Sequence, residues 1–407
     1  MIKYFKSNLL IKDTVAYTFS VIFSRGLSIL IFPLLVKSMS ENDLINYDIT
    51  LTNVMFAMTL CVFGVDSAVG RMLKDSKNHN DLLSASYFVI FIQTVITIII
   101  FWGYIQISNI YIETYDFFII LILLFSLVVI NQTTNTAKWL LERNKVITIQ
   151  VLLGLLQSLL LFLLFFFEIL NFRSAIIAQM IGAAVIAIYS VNLLKVKFYP
   201  IKTYLLIKKI LSNSLFLGIN TIIVALYIPL EKNFIYQNIS SYESATYLVH
   251  FKVALLFTFG MSALQISFTP HMIEFLKNNF YSKFKINLFY TSFLAITASI
   301  IYLFISPFFF NFFSDIHIFD NKLMIILILI QLVVLLNSFA EVCYVFYEKY
   351  RLILYLNLFQ IISFFISCML IEIKSTTQVT MIALFSLLIK LILMIFYNFK
   401  KLRKFSK

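Results

Sequence analysis

The chain has 407 residues, of which 61% are hydrophobic, 17% aromatic and only 13% charged, with a mean hydropathy of +0.95. Soluble domains run to about 45–50% apolar and about 25% charged, so this composition cannot clothe a water-soluble globule. The net charge of +13 would suggest nucleic acid as the partner of a soluble chain, but in a membrane protein basic residues report orientation instead.

Long apolar runs such as Phe117 to Ile130 (FFIILILLFSLVVI) and Val151 to Phe167 match the depth of a bilayer's hydrocarbon rather than a strand. Gly (8) and Pro (5) are scarce and no ten-residue alternating pattern recurs, which excludes an outer-membrane barrel and predicts helices. Windows of about 19 residues place twelve spans at 14–36, 47–69, 83–107, 117–137, 146–168, 174–194, 210–231, 245–268, 286–312, 323–346, 352–372 and 378–398. The fold class expected is an all-α integral membrane protein. Its twelve transmembrane helices form two six-helix lobes around a central cavity, the lobes being residues 1–200 and 201–407. The amino-terminal apolar run has no small-residue cleavage site and is expected to stay as a span.

The basic residues fix the orientation. The odd-numbered connections hold only Lys37, Arg173, Lys232, Lys322 and Lys374. Arg25, Lys252 and Lys390 lie within spans, and all other Lys and Arg fall at the termini or in the even-numbered connections. The positive-inside rule then puts both termini in the cytoplasm of a cell whose inner membrane holds the protein. Every connection is short, so no extramembrane domain is expected, and the sequence has neither a GxxxxGK[ST] phosphate loop nor an HExxH pair. His79, His250, His271 and His317 are scattered, and Cys61, Cys343 and Cys368 sit in apolar runs without paired spacing. No metal, cofactor or disulfide framework is expected. Pro33 and Pro229 occupy matching places near the outer ends of the first and seventh spans, as parallel six-helix repeats would require. Prolines also occur in unrelated membrane helices.

Charged and polar residues inside spans are the candidates for function, because a charge at the bilayer centre costs about 2.5–3.5 kcal/mol without a compensating environment. In the first span Thr14, Thr18, Arg25 and Ser28 share one helical face. Arg25 is permanently ionised and presents a fork that matches phosphate oxygens; a structural ion pair with Asp48 or Asp66 is its other reading. Asp48, Thr52, Thr59 and Asp66 form a stripe on the second span, and Asn213, Asn220, Tyr227 and Glu231 one on the seventh, together predicting a hydrated lumen. Lys252 and Lys390 extend the candidate contacts for an anion, unless they snorkel to the headgroups. Glu341 and Asp66 are the candidates for ion coupling. A polar cluster, Asn131 to Asn135, precedes Lys138 and either lines an inner mouth or marks a helix leaving the bilayer.

The run IFPLLVKSMSENDLINYDITLTNVMFAMTLCVFGVDSAVGRMLK (Ile31 to Lys74) has a proline ending the first helix, a short outer loop rich in Ser and acids, Tyr47 opening the second helix, then Gly64 and a terminal Arg71. YIPLEKNFIYQNISSYESATYLVHFKVA (Tyr227 to Ala254) has a charged residue closing the seventh helix and an Ala-x-Tyr opening the eighth. Both stretches resemble bacterial polysaccharide flippases of the multidrug/oligosaccharidyl-lipid/polysaccharide exporter (MOP) superfamily. The resemblance implies two six-helix lobes around a cationic lumen and a non-enzymatic role. The implied substrate is an undecaprenyl-pyrophosphate-linked oligosaccharide, such as the O-antigen repeat unit of lipopolysaccharide, moved from the inner to the outer leaflet of the inner membrane. Membrane lipids and the polymerase and glycosyltransferases of the same pathway are the implied partners. Arg25 matches a basic position of the first helix in such proteins. The alternatives are an ion-coupled multidrug exporter of the same superfamily and a membrane polysaccharide polymerase.

Overall fold

The computed structural model describes residues 23, 26–73, 79–107, 114–140, 142–194, 204–278, 280–347 and 349–405. In chain order the described helices are α1 (Gly26–Ser38), α2 (Glu41–Val62), α3 (Val65–Leu73), α4 (His79–Ile107), α5 (Thr114–Trp139), α6 (Arg143–Phe166), α7 (Phe172–Leu194), α8 (Tyr204–Asn238), α9 (Ser241–Lys277), α10 (Tyr281–Phe313), α11 (Asn321–Phe346), α12 (Tyr350–Leu370) and α13 (Thr376–Phe405). No strand occurs among the described residues. Nine of the described helices are long and apolar enough to cross a membrane, ten if the two bent halves of α8 count as one span. Backbone groups with no water to bond must pair within the segment, and an unbroken helix does that.

The second expected span is interrupted. Ser40 accepts the Asp43 backbone N–H at 3.2 Å at the start of α2, with Glu41 and Asp43 in the first turn to complement the helix dipole. α2 then stops because Phe63 and Gly64 both turn left-handed, at φ 41° and 69°, and α3 restarts with Asp66 in its first turn. α8 is bent by 46° between Leu206–Leu215 and Leu217–Asn238. It also runs past the expected end at residue 231, so Lys232 lies inside a helix rather than in a connection and Glu231 does not close the helix.

The chain divides into two compact units. In the first, Phe19–Pro229, α5 lies along α7, α7 along α6, and α2 against α4 and α5. α7 buries Ala175, Ala178, Gly182, Ala183, Ala187 and Ser190, small residues that let backbones approach where lipid removes the usual hydrophobic drive. Its core gathers Leu123, Leu124, Val128, Ile149, Ala183 and Ile186. Hydrogen bonds tie the helices together: Gln132 Nε2 to Ser86 Oγ at 3.0 Å, Thr133 Oγ1 to Ser190 Oγ at 3.0 Å and Gln179 Nε2 to the Tyr47 hydroxyl at 3.1 Å. Arg173 clasps both carboxylate oxygens of Asp116 at 2.9 and 3.0 Å.

In the second unit, which includes Leu230–Lys407, α11 lies between α9 and α13, α10 packs on α9, and α12 packs on α13. Exposed side chains such as Phe304, Phe308, Leu370 and Phe396 give these helices an apolar outer surface, which lipid satisfies.

Candidate functional site

Of the candidates for substrate contact, Thr18 and Arg25 lie outside the described residues. Ser28 is exposed on α1, while Asn220 on α8 and Lys252 on α9 are half-buried. Asn220 follows directly on the point where α8 meets the α2–α3 turn. A Cβ on Gly218 would lie 2.6 Å from the Phe63 carbonyl oxygen, and one on Gly64 would lie 2.7 Å from the Gly218 nitrogen. Two glycines and a left-handed turn therefore permit a backbone-to-backbone contact that no larger residue allows.

Two candidates from separate spans come together. Lys390 on α13 is buried, and its Nζ lies 3.0 Å from Glu341 Oε1 on α11. The lysine side chain is 7% exposed and the glutamate 31%, so the ammonium is the more deeply buried end of the pair. Asp66 on α3 is half-buried and accepts a hydrogen bond from Asn135 Nδ2 on α5 at 3.2 Å. Asn135 Nδ2 also donates to Asn131 Oδ1 at 3.0 Å, and Lys138 Nζ donates to Asn135 Oδ1 at 3.4 Å. The polar stretch 131–135 thus builds a cluster on one helix and ties it to another.

Sequence reasoning missed two arrangements in the second unit. Glu231 and Lys232 are both buried. The Tyr247 hydroxyl donates to Glu231 Oε1 at 3.3 Å, and Lys232 Nζ stands 4.7 Å from the centre of the Phe251 ring, a cation over an aromatic face. The spacing Glu231, Lys232, Tyr247, Phe251 across a short turn was the available signal. The second is His250, fully buried, whose Nδ1 lies 2.8 Å from the Thr246 carbonyl while Nε2 accepts the Asp320 backbone N–H at 2.9 Å. Phe310 and Phe319 flank the ring at 4.4 and 5.5 Å between centroids. Nothing local marks residue 250 as the partner of residue 320. Among the described residues, no group of three or more His, Cys, Asp or Glu is arranged to hold a metal ion.

The profile of the polysaccharide biosynthesis protein family matches residues 10–258, more than half of the chain. No curated protein matches. Among solved structures the chain is similar to a multidrug resistance MATE family transporter of the MOP superfamily in its inward-facing conformation, at 11% identity over 97% of this chain and 99% of that one with a TM-score of 0.74. The outward-facing conformation aligns at 12% identity over 97% and 96%, TM-score 0.70. A MOP superfamily transporter from Pyrococcus furiosus, described as having a binding pocket of reverse polarity, aligns at 12% identity over 97% and 96%, TM-score 0.68. The chain belongs to the polysaccharide biosynthesis protein family and is a multi-pass membrane protein that shares the fold of those MATE family transporters.

Proposed function

We propose that the protein is a flippase that carries an undecaprenyl-pyrophosphate-linked oligosaccharide, an O-antigen or similar repeat unit, from the inner to the outer leaflet of the bacterial cytoplasmic membrane, with both termini in the cytoplasm. The observation that carries this reading is the family match over residues 10–258 on a chain with a transporter fold. A pyrophosphate and several sugars cannot cross hydrocarbon unaided, because their charges and hydroxyls lose their water. A wet, basic passage that opens to each side in turn moves the head while the lipid tail stays in the bilayer, and no covalent bond changes.

Arg25 is proposed as the principal phosphate contact, with Thr18, Ser28, Asn220 and Lys252 beside the path. Lys390 already shares its charge with Glu341, so it meets an anion only when that pair opens. Glu341 is the proposed ion-coupling carboxylate. The glycosyltransferases and polymerase of the same pathway would supply and consume the substrate. Replacement of Arg25 by Ala in the native strain tests the assignment: surface polysaccharide is lost, sugar-bearing lipid accumulates in the inner leaflet, and Arg25→Lys restores part of the export. Unchanged polysaccharide with correctly inserted Arg25→Ala protein removes Arg25 from the mechanism.

A further inference from the structure

The cluster between α3 and α5 has a chemistry unlike that of a basic groove. Asn135 uses its amide nitrogen twice, toward Asp66 Oδ2 at 3.2 Å and Asn131 Oδ1 at 3.0 Å, and its carbonyl oxygen receives Lys138 at 3.4 Å. It thereby fixes the orientation of both neighbours. Asp66 keeps its second carboxylate oxygen, and Asn131 its NH2 group, outside these bonds. Asp66, Asn131 and Asn135 are each half-buried and Lys138 is exposed, so the cluster is reachable. Polar groups at this density, reachable from outside, belong against water rather than lipid tails, where each would cost free energy.

Few ligand classes satisfy that set. A phosphate would meet the Asp66 carboxylate, which has the same sign of charge, while the Lys138 ammonium is turned toward Asn135 Oδ1. Among the described residues a hard cation would find one carboxylate and no surrounding cage of oxygens, and a lipid tail would gain nothing from four polar side chains. A sugar hydroxyl both donates and accepts. Neighbouring hydroxyls on a pyranose ring can donate to a carboxylate oxygen and accept from a primary amide at the same time.

We propose that Asp66 and Asn131, oriented by Asn135, form a hydroxyl-recognition subsite for the sugar portion of the transported head. The proposal rests on the flippase reading above and adds to it a site that reads sugar rather than phosphate. Asn131 contacts the ligand and stands outside the Asp66–Asn135 bridge between α3 and α5, so its replacement leaves that bridge in place.

The test measures binding to the full-length protein in lipid nanodiscs of two probes: undecaprenyl pyrophosphate carrying an N-acetylhexosaminyl disaccharide, and undecaprenyl pyrophosphate with no sugar. The wild type binds the sugar-bearing lipid more tightly. Asn131→Ala weakens that probe about five- to tenfold, the scale of a lost neutral hydrogen bond or two, and leaves binding of the bare lipid unchanged; Asn131→Ser serves if the alanine variant does not fold. Equal losses for both probes, or no loss for either, overturn the subsite. Wild-type protein that binds both probes equally overturns the subsite while leaving the flippase reading intact, and wild-type protein that binds neither overturns both.

Discussion

The ammonium of Lys390 lies 3.0 Å from the carboxylate of Glu341 and joins α13 to α11, with the lysine far more deeply buried than its partner. Removing one member of such a pair strands the other, and the cost is set by how much water the stranded charge can reach. Glu341→Gln leaves a buried ammonium without its counter-charge and is expected to destabilise the purified protein by about 3 kcal/mol or more. Lys390→Met leaves a carboxylate that is nearly one-third exposed, and is expected to cost clearly less. The double variant Glu341→Leu with Lys390→Met should recover most of the loss in thermal unfolding. If the two single variants lose the same stability, the asymmetric burial does not govern the pair.

The contact of Gly218 with the Phe63–Gly64 turn leaves no room for a methyl group on either glycine. Gly218→Ala pushes against the Phe63 carbonyl and is expected to lose about 1–3 kcal/mol. Gly64→Ala adds the penalty of a left-handed backbone, about 1–2 kcal/mol, to a similar clash, so it should be the worse of the two in thermal unfolding. A Gly218→Ala protein as stable as the wild type would mean that α8 does not press on the break between α2 and α3.

His250 holds the connection before α11 by accepting the Asp320 amide, and Asp320 Oδ1 in turn accepts the Lys322 and Leu323 amides at 2.8 and 3.2 Å to cap that helix. His250→Leu keeps the volume and removes the acceptor. Hydrogen exchange at the Asp320 amide should rise at least tenfold, while exchange in α7 stays unchanged. Equal exchange in variant and wild type would show that this hydrogen bond does not secure the connection.

Much of the architecture was readable from hydropathy because a bilayer leaves a chain few choices: nearly every expected span has a helical counterpart in order. The break in the second span was not readable, since Phe63 is an ordinary helix former and Gly64 turns left-handed where a backbone from residue 218 approaches. The same limit applies to Lys390 and Glu341, two charges each interpreted alone that neutralise each other across 49 positions. The polar stretch 131–135 was visible, but its bond to Asp66 depends on how α3 meets α5. Glu231 and Lys232 were placed at a helix end because charges usually mark one, whereas Tyr247 and Phe251 allow α8 to carry them inside.

The orientation drawn from the basic residues has a direct check. Cys61, Cys343 and Cys368 are all buried, which favours single exposed cysteines as reporters. Lys277→Cys should resist a membrane-impermeant maleimide in intact cells and react in inside-out vesicles, and Lys374→Cys should do the reverse. The opposite pattern would place both termini outside.

Translocation itself decides the account. Proteoliposomes of the purified protein, loaded symmetrically with undecaprenyl pyrophosphate bearing a disaccharide, allow the lipid facing outward to be consumed by an added glycosidase that cannot enter. Wild-type protein is predicted to bring the inner-leaflet half out to the enzyme, so that nearly all the sugar is released, while protein-free vesicles stop near one half. Release that stops at one half with active, correctly inserted protein, or vesicles that instead accumulate an amphipathic drug cation, would contradict the flippase reading.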